Sequence, residues 1–419
     1  MKLSFHGLIS DMHILFITDN YPPESNAPAT RTYEHVREWV KKGHKVTVIT
    51  CAPNFPEGKV FEGYKNKWIT KQKIEGIYIW RVKTYISANE GFLKRIVDFI
   101  SFMFSSLFFG LFTRRVDVVI GTSPQFFTVI SAWALAKFKS IPFVFELRDI
   151  WPASITAVEV MKRSWVIRVL EKLELFLYHQ ADLIISVTHS FKRDLQNRSV
   201  SAEKIKVVLN GVDLSKYKPL SNKDQNLAEK YGLQSKFVAG YIGTHGLAHA
   251  LDIFIEAAEL LKGEDDIRLI FVGGGADKDR LENLVKYRGL SNVIMIPMQL
   301  KENMLKVWSL CDISLVSLKN TPLFSGVIPS KIFESMAMSL PIIISVPEGE
   351  STEIIRAQRA GLVVPPENSN SLYEAILSIK KDKNLYRELA HNSNLAARKF
   401  NRKTLALEML CHIEKIVRC

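Results

Sequence analysis

Short runs of apolar residues, each closed by glycine or a polar loop and each followed by a helix-length segment, recur along the chain and constrain its fold more than any other feature. In the first half these are Met12 to Asp19, Gly43 to Thr50, Asp117 to Gly121, Ile141 to Leu147, Asp182 to Val187 and Lys206 to Asp213. In the second they are Phe237 to Gly243, Arg268 to Gly275, Val293 to Ile296, Ile313 to Leu318, Pro341 to Ser345 and Leu362 to Val364. Runs that are apolar throughout, rather than at alternate positions, belong to strands covered on both faces, the setting of a parallel sheet between helices. A polar stretch, residues 214 to 234, separates the two series. The sequence therefore predicts an α/β protein of two doubly wound, Rossmann-like domains, 1–205 and 206–385, facing each other across a cleft, with a last helical stretch from Leu385 to Arg418.

Composition narrows the partners. At 419 residues, 47% hydrophobic and 24% charged, the chain holds large cores and is not disordered. Its 56 Lys+Arg against 43 Asp+Glu leave a formal charge of +13, which asks for an anionic partner. On charge alone nucleic acid, anionic lipid and nucleoside diphosphates all qualify. Cys51, Cys311, Cys411 and Cys419 are scattered without C-x-x-C spacing, so neither structural zinc nor a disulfide framework is expected, and a reducing cytoplasm fits. Residues 1–11 lack a long apolar core and read as a short extension rather than a secretory signal.

An anion site is written most clearly between Phe324 and Ser345, where a loop opens a helix that feeds a buried strand. Pro329 and Ser330 mark the helix start and Lys331 lies in its first turn, where free N–H groups and the positive dipole end favour a phosphate. A lysine there is disfavoured on dipole grounds unless an anion neutralises it. Glu334 follows three residues later on the same helical face, so cation and carboxylate can meet one nucleoside diphosphate, Lys331 on phosphate and Glu334 on ribose hydroxyls. The alternative makes Ser330 an N-cap and Glu334 its capping-box partner. Asp149, beside Arg148, emerges from the end of a buried strand and is placed for chemistry or for a structural pair. Asp277-Lys-Asp279 is not read as a metal motif, because acids in a first helical turn are expected for dipole reasons alone.

A second unusual stretch is Gly91 to Arg115. It carries no charge from Phe99 to Phe112, is too short to span a bilayer, and is flanked by Lys94, Arg95, Arg114 and Arg115. Such a helix suits the face of an anionic membrane, with Phe102, Phe104, Phe108 and Phe109 as contacts and Ser101, Ser105 and Ser106 on the packed side. A core helix of the first domain is the alternative.

These motifs together resemble the retaining GT-B glycosyltransferases of family four, in the bacterial polysaccharide branch of O-antigen and colanic-acid type aminosugar transferases. Pro329-Ser-Lys-Ile-Phe-Glu334 is similar to that branch's P-S-K-x-F-E, Glu146-Leu-Arg-Asp-Ile-Trp-Pro152 to its E-x-R-D-x-W-P, and Thr244-His-Gly246 after Gly243 to its glycine loop beneath the donor phosphates. Where wider members carry another Glu, eight residues before Glu334, this chain has Gly326; Ser25-Asn-Ala27 replaces the glycines of the P-P-E-x-G-G loop. The resemblance implies GT-B architecture, with residues 386–419 crossing back to the first domain. It implies catalytic roles for Asp149, Lys331 and Glu334, and donor binding by Gly243, Thr244, His245, Gly246, Gly274, Pro297, Met298, Ser330, Lys331 and Glu334. Glu146, Arg148, Asp149 and Glu24 would face the acceptor. A UDP-sugar donor, such as UDP-N-acetylfucosamine, and a polyprenyl-diphosphate-linked acceptor are implied, without cofactor, metal or nucleic acid, on the inner face of the cytoplasmic membrane. A GT-B epimerase or hydrolase of UDP-sugars, or a non-catalytic membrane partner of a transferase, are the other readings.

Overall fold

A computed structural model describes residues 11–55, 57–86, 92–123, 125–150 and 165–418. Its first sheet contains β1 (His13–Ile17), β2 (Lys45–Cys51), β3 (Ile69–Ile74), β4 (Ile77–Val82), β5 (Val118–Thr122), β6 (Phe143–Leu147), β7 (Leu183–Ser186) and β8 (Ile205–Val207). The second contains β9 (Phe237–Ile242), β10 (Ile267–Gly273), β11 (Val293–Pro297), β12 (Ile313–Ser317), β13 (Ile342–Ser345) and β14 (Gly361–Val364). The strand orders are β3-β4-β2-β1-β5-β6-β7-β8 and β11-β10-β9-β12-β13-β14. Pairing is parallel throughout except in the β3–β4 hairpin at the edge, which the sequence pattern did not announce. In each sheet the order reverses once, between β1 and β5 and between β9 and β12, and such switch points open ligand crevices at the carboxyl ends of the strands.

Helices cover both faces of the first sheet. Phe92–Leu111, Phe126–Lys139 and Trp165–Gln180 bury one, while Ala27–Lys41 and the terminal Arg402–Val417 bury the other. The first of this second pair starts at Ala27, three residues earlier than its pattern suggests, because Asn26 caps it by accepting from Ala29 N and Pro28 in the first turn needs no N–H partner. The C-terminal stretch is two helices rather than one. Lys383–Lys399 stays on the second domain, where Ser393 Oγ donates to Leu340 O (2.8 Å). The crossing falls at Asn401, which caps the last helix, and it is pinned by bonds from Val212 N to Phe400 O and from Arg402 N to Val212 O (each 2.9 Å). Arg402–Val417 then returns to the first domain, and Trp39 Nε1 donates to Ala406 O (2.7 Å). The expected strand at 206–213 is shorter for the same reason: beyond Val207 the chain is committed to this crossing.

The aromatic helix divides cleanly. Phe102 is 1% exposed in the core, Ser106 Oγ donates to Ser131 Oγ (3.0 Å), and Gly110 lets Leu135 approach where any side chain would collide. On the far side Phe104, Phe108 and Phe112 are 62%, 56% and 60% exposed, one helical turn apart, with Phe108 edge-on to Phe112 at 5.3 Å. Phe102 is thus a core residue and not a surface contact, and Phe109 is half-buried against the same core. Among the described residues no helix is long and apolar enough to cross a membrane. In urea unfolding, Phe102→Ala should cost about 3–5 kcal/mol and Phe104→Ser less than about 0.5 kcal/mol; equal losses would contradict this division of faces.

Candidate active site

β9 runs into Gly243 and β10 ends at Gly273, side by side at the second sheet's switch point. The two loops interlock. Both glycines have φ of 148°, a side chain on Gly273 would strike Gly243 O, and one on Gly275 would strike His245 O. His245 N donates to Gly274 O (2.8 Å) and Asp277 N to His245 O (3.0 Å), while the Tyr241 hydroxyl donates to Thr244 O (2.7 Å). Gly274 has nothing within 4 Å of where a Cβ would stand, so the cradle is open on that side. Pro297 and Met298 are exposed at the end of β11, beside β10.

Lys331 begins the short helix Lys331–Ala337 and turns into this cradle. Its Nζ sits 3.5 Å from the centroid of the Tyr241 ring and 2.9 Å from where a Gly243 Cβ would be. The side chain is 8% exposed, and Nζ has no hydrogen-bond partner among the described residues. Burial pushes its pKa down to about 7, against the pull of Glu334. A buried ammonium held only by a ring face lacks the acceptors it had in water, and an anion would restore them. The capping alternative is not formed: Ser330 has helical angles (φ −59°, ψ −26°) and makes no side-chain cap bond. Glu334 meets a different environment from Lys331. Burial raises its pKa while the charges of Arg402 and Lys301 oppose the rise.

His245 is fully buried beside Tyr241 and Phe271, and burial followed by the Lys331 charge lowers its pKa to about 4. The same two causes bring His249 to about 3. Both are neutral near pH 7, which leaves Lys331 to supply the positive charge. Asp277 does not stand free, since its carboxylate forms a two-point fork with Arg280 (2.6 and 2.8 Å), which also grips Asp252.

On the first domain, Ser123 Oγ accepts from the backbone N–H groups of Arg148 (2.9 Å) and Asp149 (3.3 Å), fixing the turn out of β6. Asp149 is half-buried there, and Trp151 and Pro152 lie outside the described residues. Arg148 reaches Pro28 O at 3.2 Å, and burial pushes its pKa down to about 10. Glu146 is turned inward. It is 1% exposed and accepts from Arg31 Nε (2.8 Å); burial opposes its charge, but Arg31 and Arg148 hold its pKa below normal. Glu24 is likewise turned inward: 3% exposed, it accepts from Asn54 N (2.8 Å) and Phe55 N (2.9 Å), tying the loop after β1 to the loop after β2. Burial pushes its pKa up to about 7.

The two domains touch through polar groups around the cleft. Lys301 Nζ donates to Thr30 Oγ1 (3.0 Å) and lies 3.9 Å from Glu34, and Glu350 accepts from His189 N and Ser190 N (each 2.9 Å) at the start of the helix His189–Asn197. Gly326 is buried at the same junction, where a side chain would press on Ser190 Cβ at 3.1 Å. Sequence reasoning missed Tyr241, although Tyr241 and Gly243 are two residues apart on a strand and so share a face. It also missed the Glu34, Lys301 and Arg402 cluster, whose members are far apart in the chain.

Two facing Rossmann-like domains, the second with paired glycine loops at the ends of β9 and β10, have the GT-B fold. The family described as Glycosyltransferase Family 4 matches residues 28–216 and that described as Glycosyl transferases group 1 matches 223–396, so the chain belongs to the GT-B glycosyltransferases of family four. It is 28% identical over 334 residues to the colanic acid biosynthesis glycosyl transferase WcaI of Escherichia coli K12, covering 78% of this chain and 81% of that one. It is 26% identical over 260 residues to the N-acetylgalactosamine-N,N'-diacetylbacillosaminyl-diphospho-undecaprenol 4-alpha-N-acetylgalactosaminyltransferase of Campylobacter jejuni, covering 61% of this chain and 67% of that one. In fold it is similar to sucrose-phosphate synthase from Thermosynechococcus elongatus, with a TM-score of 0.79 at 17% identity over 96% of this chain and 98% of that one.

Glu350 supplies a direct test of the interdomain contact. Glu350→Ala removes two charge-assisted bonds and leaves two helix-start N–H groups without their acceptor, which should lower the unfolding free energy by about 2–5 kcal/mol and raise the radius of gyration in small-angle scattering. No change in either would show that the contact does not hold the domains together.

Proposed function

We propose that this glycosyltransferase moves a sugar, with retention of anomeric configuration, from a UDP-sugar to a polyprenyl-diphosphate-linked saccharide during bacterial surface-polysaccharide assembly. The observation that carries the reading is Lys331, a buried cation without an acceptor, lying against the Gly243 loop. When the bond from the sugar's anomeric carbon to the β-phosphate oxygen breaks, negative charge collects on the departing UDP. Lys331 and the backbone N–H groups around Gly243 and Gly274 are the fixed donors that would meet it. Asp149, at the rim of the first domain, would position the acceptor hydroxyl or take its proton as the new bond forms. Glu334 would hold the ribose.

The Campylobacter relative's name supports a polyprenyl-linked acceptor and an N-acetylated aminosugar donor; N-acetylfucosamine is the sugar favoured by the branch resemblance. The exposed Phe104, Phe108 and Phe112 ridge supports peripheral contact with the inner face of the cytoplasmic membrane, where such an acceptor is anchored.

The test is a transfer assay on purified protein with UDP-sugars. Activity should survive excess EDTA, and Lys331→Ala should cost about 3 kcal/mol of transition-state stabilisation. Lys331→Arg should rescue poorly, since a planar fork cannot replace a compact ammonium packed on Tyr241. Loss with EDTA, restored by magnesium or manganese, would overturn the metal-free reading. In the same assay Asp149→Asn should lower turnover at least about 100-fold with donor affinity little changed; full activity would remove Asp149 from the mechanism.

A further inference from the structure

We infer that the groove between the β3–β4 hairpin and the C-terminal end of the aromatic helix binds the phosphate of an anionic phospholipid; this rests on the membrane-docking reading above and fixes how the first domain lies on the bilayer. The groove encloses about 540 Å³, and Lys45, Lys71, Lys73 and Arg114 line it together with Tyr78 and Trp80. Lys71 Nζ stands 4.0 Å from the Trp80 ring centroid, and Lys73 and Lys45 stand 4.8 and 5.4 Å from that of Tyr78. Aromatic faces hold these ammonium groups in place without neutralising them. Among the described residues no acid lines the groove; the Asp117 carboxylate behind it accepts from His13 N (2.6 Å). Converging cations on a half-apolar floor suit a phosphate attached to something greasy.

Continuity with the ridge selects a lipid over other polyanions. Phe112 lines the groove and is the last member of the exposed row Phe104, Phe108 and Phe112. Nucleic acid could use the cations but has no use for that row. The helix also sets the direction. Its middle lies at the carboxyl edge of the first sheet, where Ser101 Oγ is 2.7 Å from Thr84 Oγ1 just beyond β4. Its far end lies at the amino edge, where His13 Nδ1 is 3.1 Å from Arg114 O at the start of β1. From Ser101 to the end of the helix is about 15 Å, so the groove and the cleft edge lie at opposite ends of this half of the helix, with the exposed row running between them. Seating the ridge and groove together lays the helix flat on the surface and brings the cleft edge down to the interface, at the depth of a polyprenyl-linked diphosphate.

The experiment is co-sedimentation with vesicles of phosphatidylcholine alone and of phosphatidylcholine mixed with phosphatidylglycerol. The three side chains changed in Lys71→Gln/Lys73→Gln/Arg114→Gln are exposed, so the variant keeps its fold. It should bind the mixed vesicles about a hundredfold more weakly than the unaltered protein. The charge-matched control Lys230→Gln/Lys286→Gln/Lys381→Gln, on the second domain, should stay within about threefold. Phe104→Ser/Phe108→Ser should weaken binding to both vesicle types while keeping the preference for phosphatidylglycerol. A groove variant that falls no further than the control overturns the lipid-phosphate site and leaves membrane docking standing. An unaltered protein that binds neither vesicle overturns the docking reading, and the site with it.

Discussion

Arg31 ties the core of the first domain to the segment by which the chain leaves it. Its guanidinium is fully buried, pairs with Glu146 at the end of β6, and donates to Val208 O, Leu209 O and the Asn210 side chain as the chain leaves the first domain. One side chain therefore joins the first long helix, the strand that presents Asp149, and the interdomain linker. An ion pair of this kind is costly to bury but more costly to break from one side, about 3–5 kcal/mol, because the remaining charge cannot be rehydrated in place. The consequence is positional: the turn carrying Arg148 and Asp149 has a fixed address relative to the point where the chain leaves the first domain.

Around that pair the cleft is closed by contacts that are polar and few. Glu350 reaches the helix start at His189, and Lys301 reaches Thr30 and Glu34. Each exchanges water for a protein partner at modest net gain. A junction built this way can open at low cost, in contrast to the apolar seam by which the terminal helix is welded to the first domain through Trp39, Met409 and Ile413. The molecule thus has one permanent and one separable attachment between its halves.

Most strands were legible because a buried parallel strand has to be apolar along its whole length, and that signature survives in the sequence. The β3–β4 hairpin escaped because an edge strand with one wet face, such as Ile69–Ile74 with Lys71 and Lys73, shows no such run. Lys331 was legible from its odd position in a first helical turn. Glu146 and Glu24 were legible as polar residues near strand ends, but not as buried ones: which way a carboxylate turns depends on Arg31 and on the N–H groups of Asn54 and Phe55, far off in the chain. Phe102 and Phe104 look alike in sequence. Only the packing of Ser106 and Gly110 against Ser131 and Leu135 decides which faces the core.

Lys331 has a further consequence. With a pKa pushed down to about 7 against an ordinary 10.5, it binds fewer protons folded than unfolded between those values, so its burial weighs on stability less as pH rises through that window. On the proposed reading a diphosphate beside it would favour the charged form, so that a side chain only part-protonated near pH 7 would take up a proton as the nucleotide binds, and recognition would be coupled to proton uptake.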